Sequence, residues 1–114
     1  MRLFKPYVNL TKSESTGIYT MNAVVALPKG YALSSLSQSE IKKNGKKLWA
    51  VTAKVITNGS ESNAMAEFSV PLEQGPTKEV KSTSMVIVES SALRNPVEDN
   101  STEVDYEDAE STLP

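Results

Sequence analysis

The chain has 114 residues, 39% of them hydrophobic, and a formal net charge of −2, which fits one small domain with a thin core. It contains no cysteine and no histidine, which excludes disulfides and removes the commonest general base and metal ligand. We therefore expect no enzyme, no cofactor and no metal site. The N-terminus lacks a signal-peptide pattern and no apolar run could span a membrane, so we expect a cytoplasmic protein of a bacterial host with no membrane partner.

The first two predicted elements are strands. Residues 2–10 predict a strand at a sheet edge, because Pro6 cannot donate a backbone hydrogen bond. Residues 18–27 predict a second strand, which ends at the turn-forming residues 28–30.

A short helix is predicted next. Residues 31–36 fit either a strand or the approach to a helix. Ser37 and Glu40 have the spacing of a capping box, and Gly45 is a suitable stop, which together favour a helix over 38–44.

The clearest local pattern is a hairpin around Asn58-Gly59, a strong two-residue turn signal. It pairs a strand over 47–57 with one over 60–71, in a register that places Trp49 opposite Phe68. Alternation then directs the face of Trp49 to the core and the face of Lys54 to solvent.

The chain ends in a strongly acidic segment. Residues 80–90 predict a final strand, and Pro96 follows it. Residues 1–95 contain all twelve lysines and arginines and seven acids, a net charge of +5, whereas residues 96–114 contain seven acids and no base, a net charge of −7. Because few apolar residues accompany these acids, we expect a folded domain over 1–95 and a disordered acidic tail over 96–114.

Four lysines surround one Asn-Gly turn, and their ammonium groups repel one another. A phosphate backbone relieves such repulsion and releases counterions, although a solubilising turn gives the same pattern. Under the binding interpretation, phosphates are held by Lys42, Lys43, Lys46 and Lys47, with help from Lys5, Lys29 and Lys54.

Three tyrosines lie close in sequence to a lysine. Proteins that bind single strands stack bases on aromatic side chains in a basic groove, so we predict base stacking on Tyr7, Tyr19 and Tyr31. The alternative is ordinary packing, which the alternation pattern favours for Trp49 and Phe68.

The acidic tail is the third candidate site. It could fold back on a basic groove as a nucleic-acid mimic or recruit partner proteins, and both roles are sensitive to salt. A tail that only adds solubility would have the same composition. The candidate residues are Glu103, Asp105, Tyr106, Glu107, Asp108 and Leu113.

A small, mostly β body with an acidic C-terminal tail resembles single-stranded-DNA-binding proteins of the OB-fold type. The resemblance covers the whole chain as architecture, without a sequence motif. The terminal Ile-Pro-Phe of bacterial members is absent, since this chain ends in Thr112-Leu113-Pro114. The resemblance implies an OB-like barrel of five to six strands with one short helix, and a tail that recruits replication or recombination proteins.

We therefore predict a mainly β, non-catalytic protein that binds single-stranded DNA or RNA and assembles as a homo-oligomer. A compact chain rich in serine and threonine is typical of phages and mobile elements, which places it in their replication or recombination. The alternative is a protein–protein interaction module, such as a phage-encoded inhibitor or a virion component, that acts through its acidic tail.

Overall fold

The computed structural model describes residues 6–27, 29–57, 64–89 and 101–112. Within these ranges the chain forms strands and one 3-10 turn, and no α-helix. The strands are β1 (Tyr7–Ser13), β2 (Tyr19–Leu27), β3 (Tyr31–Lys43), β4 (Lys46–Thr57), β5 (Ala64–Pro71), β6 (Ser82–Glu89), β7 (Ser101–Asp105) and β8 (Glu110–Thr112), with the 3-10 turn at Tyr106–Asp108. The prediction of a mainly β protein is confirmed.

The strands form two four-stranded sheets of mixed direction. The first sheet has the order β5-β2-β1-β8 and the second has the order β3-β4-β6-β7. The pairs β1–β8 and β4–β6 are parallel, and the other neighbours are antiparallel. Both sheets are open in the described residues and form no closed barrel, so the predicted OB-like barrel of five to six strands is not confirmed.

The two sheets pack face to face as a β-sandwich. On β2, buried residues alternate with more exposed ones, as expected for a strand with one face on the core. The main hydrophobic cluster joins residues of the first sheet to residues of the second, including Leu10, Met21, Val25, Val51, Met85 and Ile87.

The predicted helix over 38–44 is wrong, because residues 31–43 form β3. This strand pairs with β4 from Tyr31 opposite Thr57 to Lys43 opposite Lys46. Asn44 and Gly45 connect the two strands with φ of 51° and 79°, the left-handed geometry of a tight hairpin turn. A two-turn helix has little stability of its own, and the long strand ladder replaces it.

The predicted hairpin between residues 47–57 and 60–71 is also wrong, although both strands exist. Strand β5 pairs with β2, which places Phe68 opposite Ala23, and β4 lies in the other sheet. The Asn58-Gly59 turn lies outside the described residues. The predicted alternation of buried and exposed residues along β4 is confirmed in part. Val51, Ala53 and Val55 are fully buried and Lys54 is exposed, but Leu48 and Ala50, on the same face as Lys54, are buried too.

Much of the acidic segment is ordered, so the predicted disorder is wrong for residues 101–112. Strand β7 extends the second sheet beside β6, and β8 extends the first sheet beside β1. The acidic composition of this segment does not prevent it from folding. Val104, Tyr106 and Ala109 pack against the core, while the acids between them stay exposed. The predicted domain boundary between 95 and 96 lies outside the described residues, as do residues 96–100.

Candidate polyanion-binding surface

Four lysines lie at the tip of the β3–β4 hairpin. We call Lys42, Lys43, Lys46 and Lys47 the lysine tip. Within it Lys42 lies opposite Lys47 and Lys43 lies opposite Lys46. Like charges directly opposite each other destabilise a strand pair, so an anion bound at the tip would relieve this repulsion.

Two carboxylates of the chain already meet the lysine tip. The Lys46 Nζ donates to Glu103 Oε2 of β7, and the Lys47 Nζ donates to Glu79 Oε1 at 3.0 Å. Each hydrogen bond raises the pKa of its lysine. Both ion pairs are exposed to solvent, and exposed pairs contribute little to stability. Their main effect is to offset two of the four positive charges.

Part of the acidic segment, strand β7, therefore lies beside the lysine tip. The Lys43 Nζ also reaches β7, at 3.5 Å from Ser101 Oγ. Strand β7 is held in place by its ladder with β6 and by a hydrogen bond of 2.7 Å from Ser82 Oγ to Asp105 Oδ1. An anion that binds the tip must compete with Glu79 and Glu103.

A groove of about 510 Å³ adjoins the lysine tip. Its lining mixes aromatic, basic and acidic side chains: Tyr19, Lys46, Pro76, Lys81, Ser82, Asp105, Tyr106 and Glu107. Because two lysines and two acids share the groove, its charge is balanced and not strongly basic.

Tyr19 is engaged in contacts within the protein. Its ring centroid lies 4.9 Å from that of Tyr106, in an edge-to-face arrangement at 79°. The Lys12 Nζ lies 5.5 Å from the Tyr19 centroid, within cation–π distance. These contacts favour the packing interpretation of Tyr19 over base stacking.

Tyr106 anchors the acidic segment in the core. Its side chain is 4% exposed, and its hydroxyl donates to the carbonyl of Gln74 at 2.7 Å. Burial raises the pKa of Tyr106 to about 12, with a smaller contribution from Tyr19. Of the predicted tail residues, Tyr106 is thus a core residue, while Glu103, Asp105, Glu107 and Asp108 are exposed.

Three of the other predicted binding residues, Tyr31, Lys29 and Lys54, lie at the end of the β3–β4 hairpin away from the lysine tip. Tyr31 begins β3 and the lysine tip ends it, so the two are separated by up to about 40 Å along the strand. Lys29 is in the turn before Tyr31, and Lys54 is exposed near the same end of β4. Tyr7 is 72% exposed in β1 of the first sheet, and the carbonyl of the preceding Pro6 accepts from Thr102 Oγ1 of β7 at 2.6 Å. Lys5 and Leu113 lie outside the described residues.

Sequence reasoning missed three residues of this surface, namely Glu79, Lys81 and Ser101. Glu79 resembled an ordinary loop acid. Lys81 and Ser101 reach the site only because β6 runs parallel to β4 and β7 follows beside β6. No local pattern in the sequence predicts the pairing of β6 with β4 and of β7 with β6.

Among the described residues, no group of three or more acids is placed to hold a metal ion. The same ranges contain no helix with the length and apolar character needed to cross a membrane. No protein-family model, curated protein or solved structure matches the chain.

Proposed function

We propose that the chain is a non-catalytic protein that binds single-stranded nucleic acid through the lysine tip. The supporting observation is the concentration of four lysines on one tight turn that a long strand ladder holds in place. A preorganised turn loses little conformational freedom on binding. Phosphates would relieve the repulsion between the opposed lysines and release counterions.

The geometry favours contacts to phosphates over contacts to bases. Tyr19 is occupied by Tyr106 and Lys12, and Tyr31 lies at the opposite end of β3 from the tip. Binding should therefore be sensitive to salt and nearly independent of base sequence. The carboxylates of Glu79 and Glu103 act as built-in competitors, which limits affinity.

A titration of a labelled dT oligomer at several salt concentrations tests the proposal. Because Glu79 and Glu103 offset two of the four charges, two net phosphate contacts predict a slope of log K against log salt of about −1.4, and the K42A/K43A double variant should reduce it to near zero. The matched control is K29A/K54A, which removes the same charge at the other end of the hairpin and should leave the slope unchanged. Absence of binding at low salt, or equal losses in both variants, would overturn the proposal.

A second candidate is a protein–protein interaction module that acts through the acidic segment, such as a phage-encoded inhibitor or a virion component. The observation that favours it is the ordered display of acids by β7, the 3-10 turn and β8: Glu103, Asp105, Glu107, Asp108 and Glu110 are all exposed. Fixed carboxylates can imitate the phosphates that a basic protein surface recognises. Replication or recombination proteins of a phage or mobile element are partners of this kind.

The two candidates respond in opposite ways to loss of the acids. In the E107Q/D108N variant, an interaction module should lose its affinity for an arginine-rich peptide, measured by anisotropy. A nucleic-acid-binding protein should instead keep or gain affinity for dT. Unchanged peptide binding would count against the second candidate.

A further inference from the structure

Strand β3 presents an unusual edge. It is an outer strand of the second sheet, and β4 is the only strand that pairs with it within the described ranges, while its Gln38 side chain also bonds to the backbone of Pro71 and Glu73. Residues 32–39 (ALSSLSQS) contain no charge, no proline and no glycine. Residues 34–37 and 39 are exposed. Edges of this kind present unpaired backbone groups that can join another strand.

The other three sheet edges carry features that oppose such pairing. Strand β7 has Glu103 and Asp105, and β8 is only three residues long. Strand β5 has Glu67 and ends at Pro71. Charges, proline and short length are the usual protections of edge strands. Strand β3 has such protections only towards its ends, namely a register irregularity between Leu33 and Ser35 and the charges of Glu40, Lys42 and Lys43, which leaves residues 35–39 without one.

We propose that β3 pairs antiparallel with β3 of a second copy of this chain, which gives a symmetric dimer with one continuous eight-stranded sheet. A second copy fits because the strand is compatible with itself. Pairing centred on Ser37 over the regular stretch 35–39 places Ser35 opposite Ser39 and Leu36 opposite Gln38. No like charges then lie opposite each other, and each copy uses the same surface, as a twofold dimer requires.

The arrangement would place the two lysine tips at opposite ends of the shared sheet. Lys43 is six residues from Ser37, about 20 Å along the strand, so the tips would be about 40 Å apart. The dimer itself does not depend on nucleic-acid binding, and the test below contains no nucleic acid.

Sedimentation velocity of the full chain over a range of concentrations tests the dimer. The unmodified chain should show a concentration-dependent monomer–dimer equilibrium. Ser37→Lys and Ser37→Glu should each weaken the dimer about fivefold, because each places like charges opposite one another at the twofold axis. An equimolar mixture of the two variants should restore association. Ser15→Lys adds the same charge at an exposed loop position and should change nothing.

Hydrogen exchange on the unmodified chain provides a test that needs no variant. Backbone amides of residues 35–39 should exchange more slowly at high protein concentration than at low concentration, and those of Thr16 and Gly17 should not change. A chain that stays monomeric would overturn the proposal. So would a dimer in which Ser37→Lys behaves like Ser15→Lys and residues 35–39 gain no protection.

Discussion

Substitution of Tyr106 by alanine should destabilise the whole protein, although the residue lies within the acidic segment. Its ring is almost fully buried against Tyr19, and loss of a buried large aromatic side chain costs about 3–5 kcal/mol. Tyr106→Phe retains the ring and loses only the hydrogen bond to the Gln74 carbonyl. That change should cost about 1 kcal/mol.

Urea unfolding followed by fluorescence measures both effects. Trp49 is the only tryptophan of the chain, and it lies in β4 of the second sheet. Tyr7→Ala is the matched control, because Tyr7 is 72% exposed and its loss should change the free energy of unfolding by less than about 0.5 kcal/mol. If Tyr106→Ala were as stable as Tyr7→Ala, the acidic segment would not be part of the fold.

Three further predictions concern pH, the hairpin turn and the contact between the sheets. Absorbance at 295 nm should show one tyrosine that titrates near pH 12 and is lost in Tyr106→Phe. Because this pKa is raised from 10.0 in the folded state, the associated stability should be complete below pH 10 and fall between pH 10 and 12 in urea melts. Gly45→Ala should cost about 1–2 kcal/mol in thermal melts because φ is 79°, and a cost below 0.3 kcal/mol would contradict the turn geometry. The Gln38 side-chain oxygen accepts from Trp49 Nε1 at 2.8 Å and from the Glu73 amide at 2.9 Å. Gln38→Ala removes both hydrogen bonds and should lower the free energy of unfolding by about 1–3 kcal/mol. Unchanged stability and an unshifted Trp49 emission maximum would refute this.

Individual strands could be predicted from the sequence because their signals are local. Strand β2 has the alternation of a half-buried strand, and the apolar run of β6 predicted a strand over 80–90 where the structure has Ser82–Glu89. The pairing of strands could not be predicted in the same way. The chain has two Asn-Gly pairs flanked by strand-forming residues, and local rules cannot decide which one closes a hairpin. Residues 44–45 close one, while β4 and β5 separate into different sheets.

The candidate site was predictable to a similar extent. The four lysines at one turn were visible as a sequence run, and the structure keeps them together. The carboxylates that offset them come from residues 32 and 57 positions away along the chain, so only the tertiary structure reveals them. The many acids and few apolar residues of the tail predicted disorder. The sequence alone does not show that Val104 and Tyr106 pack against a core formed by the rest of the chain.

The salt dependence of dT binding by the E79Q/E103Q variant tests the proposed function most directly. Removing both competing carboxylates should free Lys46 and Lys47 for phosphates, which tightens binding at low salt and steepens the slope relative to the unmodified chain by up to about 1.4. A matched E14Q/E67Q variant, in which both acids are exposed and neither is the partner of Lys46 or Lys47, should bind as the unmodified chain does. If none of the three proteins bound dT at low salt, or if both variants gained affinity equally, the lysine tip would not be the nucleic-acid-binding surface.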